Sequence, residues 1–280
     1  MRIDLHCHTT ISDGELTPEE LVVRAENHQL DYLAITDHDS TDALAVAKAM
    51  AKRLLIINGV EISTDWEGFE IHVVGLNFMI SNQQLQQSLV VQRQKRNDRA
   101  YEISCRLSKI GIEPVYERVL EMAKGGCITR AHIAKVIVER GIVGSFDKVF
   151  QKFMSRGKPG YVPNRWMSTE QAIQLIHQAG GVAVLAHPLQ YQLSNKWLRR
   201  LIGEFAEAGG DALEIGVSQI KPDHQRWLSE LAIGHYLAGS VGSDFHRPTR
   251  WRELGRYLPL PENIIPIWEK FSLETGCLID

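Results

Sequence analysis

Short apolar, β-rich runs recur along this chain, each closed by a polar donor and most followed by a stretch with helical spacing. That alternation limits the fold more than any other feature. The runs cover residues 2–5, 32–36, 54–58, 71–76, 182–186, 212–217 and 237–241, and helical patterns cover residues 17–28, 42–52, 168–179 and 195–208. Pro18 directly after Thr17 marks one helix start. Seven strands alternating with helices predict an α/β fold, a parallel barrel, in which functional side chains gather where strands end and loops begin.

One long segment breaks the pattern. Residues 81–165 lose the strand runs and read as helices punctuated by Gly111, Gly125, Gly126, Gly141 and Gly157. The expected organisation is therefore a barrel in two parts, 1–80 and 166–280, with an inserted helical cap at 81–165. Residues 93–165 hold 16 Lys and Arg against 7 Asp and Glu, a net of +9 in a chain of net −3, which leaves −12 for everything else. A basic cap over an acidic, cation-loaded barrel suits an anionic substrate held between them.

A chain of 280 residues with 44% hydrophobic content has ample material for a buried core. It contains no run of 18 apolar residues, and Met1 leads straight into Arg-Ile-Asp-Leu-His without a charged and then apolar leader. A cytoplasmic protein with no membrane association is expected, and nothing in the sequence calls for an obligate protein partner. Cys7, Cys105, Cys127 and Cys277 are far apart, so reduced thiols are expected rather than a zinc ribbon or a disulfide framework.

Nine side chains of metal-ligand type fall at or near the ends of the strand runs: His6, His8, Asp13, His38, Glu61, His72, His187, Asp244 and His246. Side chains alternate faces along a strand, so His6 and His8 point one way and Cys7 the other, and Asp244 and His246 repeat that spacing. Taken singly, several have plainer readings: Asp13 before Gly14 is turn chemistry, and His72 inside an apolar run is a core histidine. Glu61 interrupts an apolar run, which a core strand tolerates only when the carboxylate is paired or metal-bound. Asp37 and Asp39 flank His38 and are expected to orient imidazoles. Taken together the donors suffice for three ions, and clustered divalent ions on imidazole and carboxylate activate water and clamp a phosphoryl group. Gly-x-Ser-x-Gly and Walker phosphate-loop motifs are absent.

The motifs His6-x-His8, Thr36-Asp37-His38, Gly59-Val60-Glu61, His72, Ala186-His187-Pro188 and Gly242-Ser243-Asp244-x-His246 resemble, in order, those of the PHP (polymerase and histidinol phosphatase) superfamily of metal-dependent phosphoesterases. The segments 128–134 and 157–163 extend the likeness to the branch that holds 5'-to-3' exoribonucleases and 3',5'-nucleoside bisphosphate phosphatases. The resemblance implies a distorted seven-stranded (β/α)7 barrel with a trinuclear centre. His6, His8, Glu61 and Asp244 would hold one divalent ion, Glu61, His72 and His187 a second, and Asp13, His38 and His246 a third, with Glu61, His187 and Asp244 carrying the catalysis. Manganese is the first choice by analogy, with iron and zinc compatible with the same donors.

Arg130, opening a helix in the cap, is the leading candidate for clamping a second phosphate, because guanidinium binds phosphate as a fork. Arg96, Arg99, Lys158 and Tyr161 are further substrate-binding candidates, and His132 is left open between substrate contact and helix residue. The resemblance implies a 5'-to-3' exoribonuclease acting on 5'-phosphorylated RNA ends and short oligonucleotides, with nucleoside bisphosphate phosphatase (pAp to AMP) as the alternative. A histidinol-phosphate phosphatase comes third, since so small a substrate needs no large basic cap. A non-catalytic nucleic-acid-binding module is the reading from another class; degeneration shows as lost ligands, and none of the nine positions is lost.

Overall fold

Strands covered on both faces are rich in Val, Ile and Leu, because branched side chains fill a pleated surface. The computed structural model describes residues 1–271, so Cys277 and the end of the expected second barrel part lie outside the described residues. Strands β1 (Ile3–Asp4), β2 (Tyr32–Ile35), β3 (Leu55–Trp66), β4 (Phe69–Leu76), β6 (Val182–Leu185), β7 (Ala212–Val217) and β8 (Ala238–Gly242) are hydrogen-bonded in that order, and a two-residue β5 (Met167–Ser168) joins the edge of β3. The amide of Leu5 donates to the carbonyl of Val241 (3.2 Å) and that of His8 to Phe245 (2.8 Å), which brings β8 back to β1 and all but closes a seven-stranded barrel.

Helices α1 (Pro18–Asn27), α2 (Ala43–Met50), α7 (Thr169–Gln178), α8 (Asn195–Glu207) and α9 (Pro222–Gly234) surround it. The Thr17 side chain accepts from the Glu20 amide while the Glu20 carboxylate accepts from the Thr17 amide, and Ser168 and Gln171 repeat the arrangement at α7.

Strand periodicity then sorts the interior. Ile57, Val74, Val184 and Ala212 face inward in one cluster, while Leu33, Val73, Leu185 and Leu213 belong to the clusters beneath the helices. On the inward faces, two residues or a few further along, the apolar residues give way to Glu61 on β3, His72 on β4 and Glu214 on β7. One end of the barrel is hydrocarbon and the other carries donors.

Two expectations need correction. The third run does not stop at residue 58: β3 continues to Trp66, so Glu61 lies mid-strand. No helix follows it. Glu67 and Gly68, with φ of 53° and 78°, turn the chain directly into β4, which pairs antiparallel with both β3 and β6. The barrel is mixed rather than parallel because a two-residue hairpin replaces one crossover.

Between β4 and β5 lie α3 (Gln83–Ser108), α4 (Tyr116–Ala123), α5 (Arg130–Glu139), the short α6 (Phe146–Val149) and a π-turn at Phe150–Met154. From Ala100 onward they pack round their own core, including Ile103, Leu107, Val119, Ile133 and Val149, whereas Leu85 and Leu89 at the start of α3 belong to a barrel cluster with Val60 and Ile173. Gly111, Gly125, Gly141 and Gly157 follow the helical stretches with φ between 71° and 86°, as helix stops require. Cys7 and Cys127 are buried free thiols and Cys105 an exposed one.

At the hydrocarbon end Asp211 ties elements together: its carboxylate accepts from the Ala183 amide (2.9 Å), meets His177 Nε2 (2.7 Å) and pairs with Lys270 (3.0 Å). Burial works against its charge, but the Ala183 amide, His177 and Lys270 outweigh it and hold the carboxyl below the ordinary 3.8. A depressed folded-state pKa stabilises the fold fully above 3.8, and the contribution is lost as pH falls through the lower folded value. Asp211→Asn is therefore expected to cost about 1 kcal/mol at pH 7, with the gap to the parent closing in denaturant melts taken progressively below that ordinary value. A gap that stays constant with pH would remove the charge from the account.

Candidate metal centre

Glu61 is 1% exposed, and five imidazoles converge on it. His72 Nδ1 and His187 Nε2 each lie 2.9 Å from its Oε1, and His6 Nε2 lies 3.4 Å away. His38 Nδ1 and His8 Nε2 approach Oε2 at 3.0 and 3.3 Å. Asp244 Oδ1 comes within 3.7 Å of His6 Nε2, 3.6 Å of His8 Nε2 and 3.4 Å of His246 Nδ1. Asp13 completes the cluster, 3.3 Å from His246 Nε2 and 3.8 Å from His38 Nε2. All nine donors singled out from the sequence are thus brought to one place.

The backbone that aims them is strained where strands end. His187 and Asp244 take φ of 26° and 50°, a left-handed conformation that costs a non-glycine residue on the order of 1–2 kcal/mol. Glu214 and Arg252 hold these two in place. The Glu214 carboxylate accepts from the His187 amide (2.6 Å) and meets His6 Nδ1 (3.0 Å), and Arg252 donates to the Asp244 carbonyl (2.9 Å). Neither residue was singled out from sequence, yet Glu214 carries the same signal as Glu61: a carboxylate inside a buried apolar strand, Ala-Leu-Glu-Ile-Gly-Val.

Asp37 acts on His8 through Ser12: it accepts from Thr9 and from Ser12 Oγ (2.6 Å), which lies 3.3 Å from His8 Nδ1. Asp39 departs from expectation. It accepts from the Ser63 amide and from Arg96 Nε (2.7 Å) and so anchors a guanidinium rather than an imidazole.

Charge in the cluster is finely opposed. Burial raises the pKa of Glu61, Asp13 and Asp244, yet the surrounding imidazoles outweigh it and hold all three well below the carboxylate range. Burial opposes protonation of His8 and His72, but the carboxylates push them up to about 10 and about 9. At His38 burial prevails and the value falls to about 4, leaving the neutral ring that binds a cation. Three ionised buried carboxylates demand positive charge at this spot, and metal ions in place of the imidazole protons would supply it.

Two further observations fit metal binding. Asp13 Oδ1, His38 Nδ1 and His187 Nδ1 are buried without a hydrogen-bond partner, since His38 Nδ1 is near Glu61 but not aligned with it. Donor atoms of His8, Asp13, His38 and His246, of His6, His8 and Glu61, and of His38, Glu61 and His72 each lie within 4.8 Å of one another.

Asp13, Asp244 and His246 open on a cleft of about 1160 Å3 whose far side is formed by His132, Lys135 and Phe150 of the helical segment. His132 also closes the N-terminus of α5 through Thr129. The substrate-binding candidates are placed differently. Arg96 is 6% exposed and committed to Asp39 and Ser63, with Trp166 beneath it at 5.1 Å. Arg99 and Arg130 share Glu70, at 2.9 and 3.1 Å, and Glu70 in turn lies 3.8 Å from His72. Burial opposes the Glu70 charge, but Arg130 and Arg99 hold its carboxyl well below the usual range. Lys158 is exposed in a turn with Tyr161, whose carbonyl accepts from Arg106, and neither these two nor Arg96, Arg99 and Arg130 line the cleft.

A nearly closed seven-stranded barrel with a histidine and carboxylate cluster at its mouth defines a recognisable class, and the chain belongs to the PHP domain family, whose pattern matches residues 4–179. The chain is 49% identical over 270 residues to the 5'-3' exoribonuclease Rnm of Escherichia coli (strain K12), covering 95% of this chain and 92% of the relative. It is 38% identical to a 3',5'-nucleoside bisphosphate phosphatase of Chromobacterium violaceum, over 96% of each. A solved amidohydrolase structure from C. violaceum, with bound sulfate and no metal, superposes with a TM-score of 0.90 at 37% identity, covering 96% of this chain and 95% of that one. A Bifidobacterium adolescentis protein described as a metal-dependent phosphoesterase superposes at 0.77 with 29% identity, covering 95% and 92%. The metal dependence in the description of that second neighbour agrees with the donor cluster.

The contrast between Arg96 and Arg130 is measurable. Arg96→Ala leaves Asp39 buried and unpaired, so a loss of about 3–5 kcal/mol is expected, whereas Arg130→Ala, with Arg99 still on Glu70, should cost under about 1 kcal/mol. Equal shifts in melting temperature for the two variants would contradict this division.

Proposed function

We propose that the protein is a metal-dependent phosphoesterase that removes nucleotides from the 5' end of RNA, a 5'-to-3' exoribonuclease acting on 5'-phosphorylated ends and short oligonucleotides. The nine donors gathered around Glu61, three of which line a cleft of about 1160 Å3, carry the reading, and the name borne by the exoribonuclease relatives supports it. In this reading residues 81–165 are a cap domain inserted between barrel parts 1–80 and 166–280, and the enzyme works in the cytoplasm. Among the described residues no helix is long and apolar enough to cross a membrane.

His6, His8, Glu61 and Asp244 would hold one divalent ion, Glu61, His72 and His187 a second, and Asp13, His38 and His246 a third, with manganese first and iron or zinc compatible with the same donors. When bound, such ions lower the pKa of a water and offset charge on phosphoryl oxygens. Glu61 would belong to two of these donor sets, so its charge and position would matter to both. Glu214 fixes the His6 ring and the His187 backbone, and Arg252 fixes Asp244. Glu61, His187 and Asp244 are the residues assigned to catalysis. Hydrolysis breaks the bond between phosphorus and the 3' oxygen of the first nucleotide; the water oxygen joins phosphorus and a proton passes to the departing 3' oxygen.

Arg130 reads the 5' phosphate. It is 32% exposed, and Arg99 can keep Glu70 neutralised while the Arg130 fork turns to the substrate. Arg96, Lys158 and Tyr161 take no part in this reading. A nucleoside 3',5'-bisphosphate presents the same two phosphates without the downstream chain, so phosphatase action on it is the second reading, favoured by the relative of that name.

The test is manganese-supplemented protein with 5'-phosphorylated RNA labelled at either end. A 5' label should leave first, as mononucleotide, while a 3' label stays on a shortening ladder; internal cuts or 3' release would overturn the reading. In Glu61→Gln the rate should fall on the order of a hundredfold or more and bound metal should drop at two sites, whereas full metal content and turnover would exclude the bridging role.

Arg130→Ala should keep its metal yet lose roughly 1.5–3 kcal/mol, about tenfold or more in kcat/KM, on both 5'-phosphorylated RNA and nucleoside bisphosphate. A generic aryl phosphate, lacking the second phosphate, should be little affected; an equal loss there would place Arg130 with the metal chemistry or the fold instead.

A further inference from the structure

Past His246 the chain carries four arginines and a tryptophan in the ten residues from Arg247 to Arg256. This segment is tightly tied. Thr249 Oγ1 accepts from the amides of Trp251 (3.2 Å) and Arg252 (2.9 Å), the Thr249 amide donates to the Arg252 carbonyl (3.1 Å), and Arg256 donates to the Arg250 carbonyl (2.8 Å). At its end the Gly255 amide donates to Asp4 (2.7 Å). Yet the indole this framework carries is 56% exposed, with the Arg250 guanidinium 4.8 Å from its ring centroid. A single exposed ring is ordinary on a protein surface; this one is set apart because a hydrogen-bonded turn holds it on the cleft that Asp13, Asp244 and His246 also line.

Its position identifies the contact. Trp251 lines the same cleft as Asp13, Asp244 and His246, and at 3.3–3.6 Å per residue its Cα lies no more than roughly 18 Å from that of His246. Lys124 and Lys135 line the cleft as well. In the exoribonuclease reading the rest of the RNA hangs from the scissile phosphorus and must leave through this opening. An exposed indole beside cationic side chains meets single-stranded nucleic acid by stacking on a base, which needs no particular sequence because every base has a π-face.

We infer that Trp251 is a stacking platform for the RNA nucleotides downstream of the cut, with Arg250 bracing the ring and Lys124 and Lys135 facing the backbone phosphates. The inference rests on the exoribonuclease reading. A nucleoside 3',5'-bisphosphate has no downstream nucleotide, so the platform separates RNA from that smaller substrate without touching the donors.

The experiment compares Trp251→Ala and Trp251→Phe with the parent on a 5'-phosphorylated hexanucleotide and on a nucleoside 3',5'-bisphosphate. The ratio of kcat/KM for hexanucleotide over bisphosphate should fall roughly five- to a hundredfold in Trp251→Ala, the loss of one base stack, mainly through KM, and recover in part with Phe. Binding of a fluorescent hexanucleotide with EDTA present should weaken by a similar factor. An unchanged ratio with unchanged binding overturns the platform, and so does an equal loss on both substrates, which would mean that the turn acts through Arg252 on Asp244. If the parent fails to cleave the hexanucleotide, the exoribonuclease reading falls; the binding comparison still decides whether Trp251 holds single-stranded RNA, and no binding by the parent ends both.

Discussion

The structure depends on one buried carboxylate. Glu61 sits inside a strand, 1% exposed, where an unpaired charge would cost several kcal/mol. It is tolerated because five imidazoles from four places in the chain surround it: the end of β1, the loop after β2, β4 and the end of β6. Each of those rings is itself buried or half-buried and needs a counter-charge. The cluster is therefore self-supporting only as a whole, and the barrel is the device that closes it.

That dependence explains where the backbone accepts strain. His187 and Asp244 sit in left-handed conformations two residues past the ends of β6 and β8. The cost is offset by hydrogen bonds that fix the turned backbone, from the His187 amide to Glu214 and from Arg252 to the Asp244 carbonyl. Gly242 belongs to the same arrangement. A Cβ there would come within 2.4 Å of the His6 Cβ and 2.7 Å of Glu214 Oε1, so β8 passes the site close enough to exclude any side chain.

The positive charge of the helical segment divides into three uses. Arg96 is locked to Asp39 and fastens α3 to the loop after β2. Arg99 and Arg130 share Glu70 at the edge of the donor cluster, where exposure rather than charge distinguishes the one that can turn toward a ligand. Others face the cleft, though Arg118 is occupied with Glu121 and Glu139. The helical residues lining the cleft set Glu121, Glu139 and Asp147 beside Arg118, Lys124 and Lys135, so net charge over the segment does not by itself say which cation meets an anion.

The sequence by itself determined which donors are present, the seven barrel strands to within two residues of their starts, and the helices α1, α2, α7 and α8, but not α9 or β5. A polar ligand at the end of an apolar run, and a Thr or Ser before a capping Glu or Gln, are local signals that hold whatever the rest of the chain does. All nine donors, the helix start at Thr17 and Pro18 and the glycine stops of the helical segment were legible on that ground. Only the tertiary structure decided the rest. The turn at Glu67 and Gly68 lacks the usual Asn-Gly or Asp-Gly signature, so the hairpin and the reversed β4 were invisible until β4 was seen between β3 and β6. Glu214 carried the same mark as Glu61, but its partner His6 lies 208 residues away. The roles of Arg96, Arg99 and Arg130 were equally unreadable, because pairing depends on which carboxylate the folded chain brings within reach, and that is a property of distance in space rather than order in sequence.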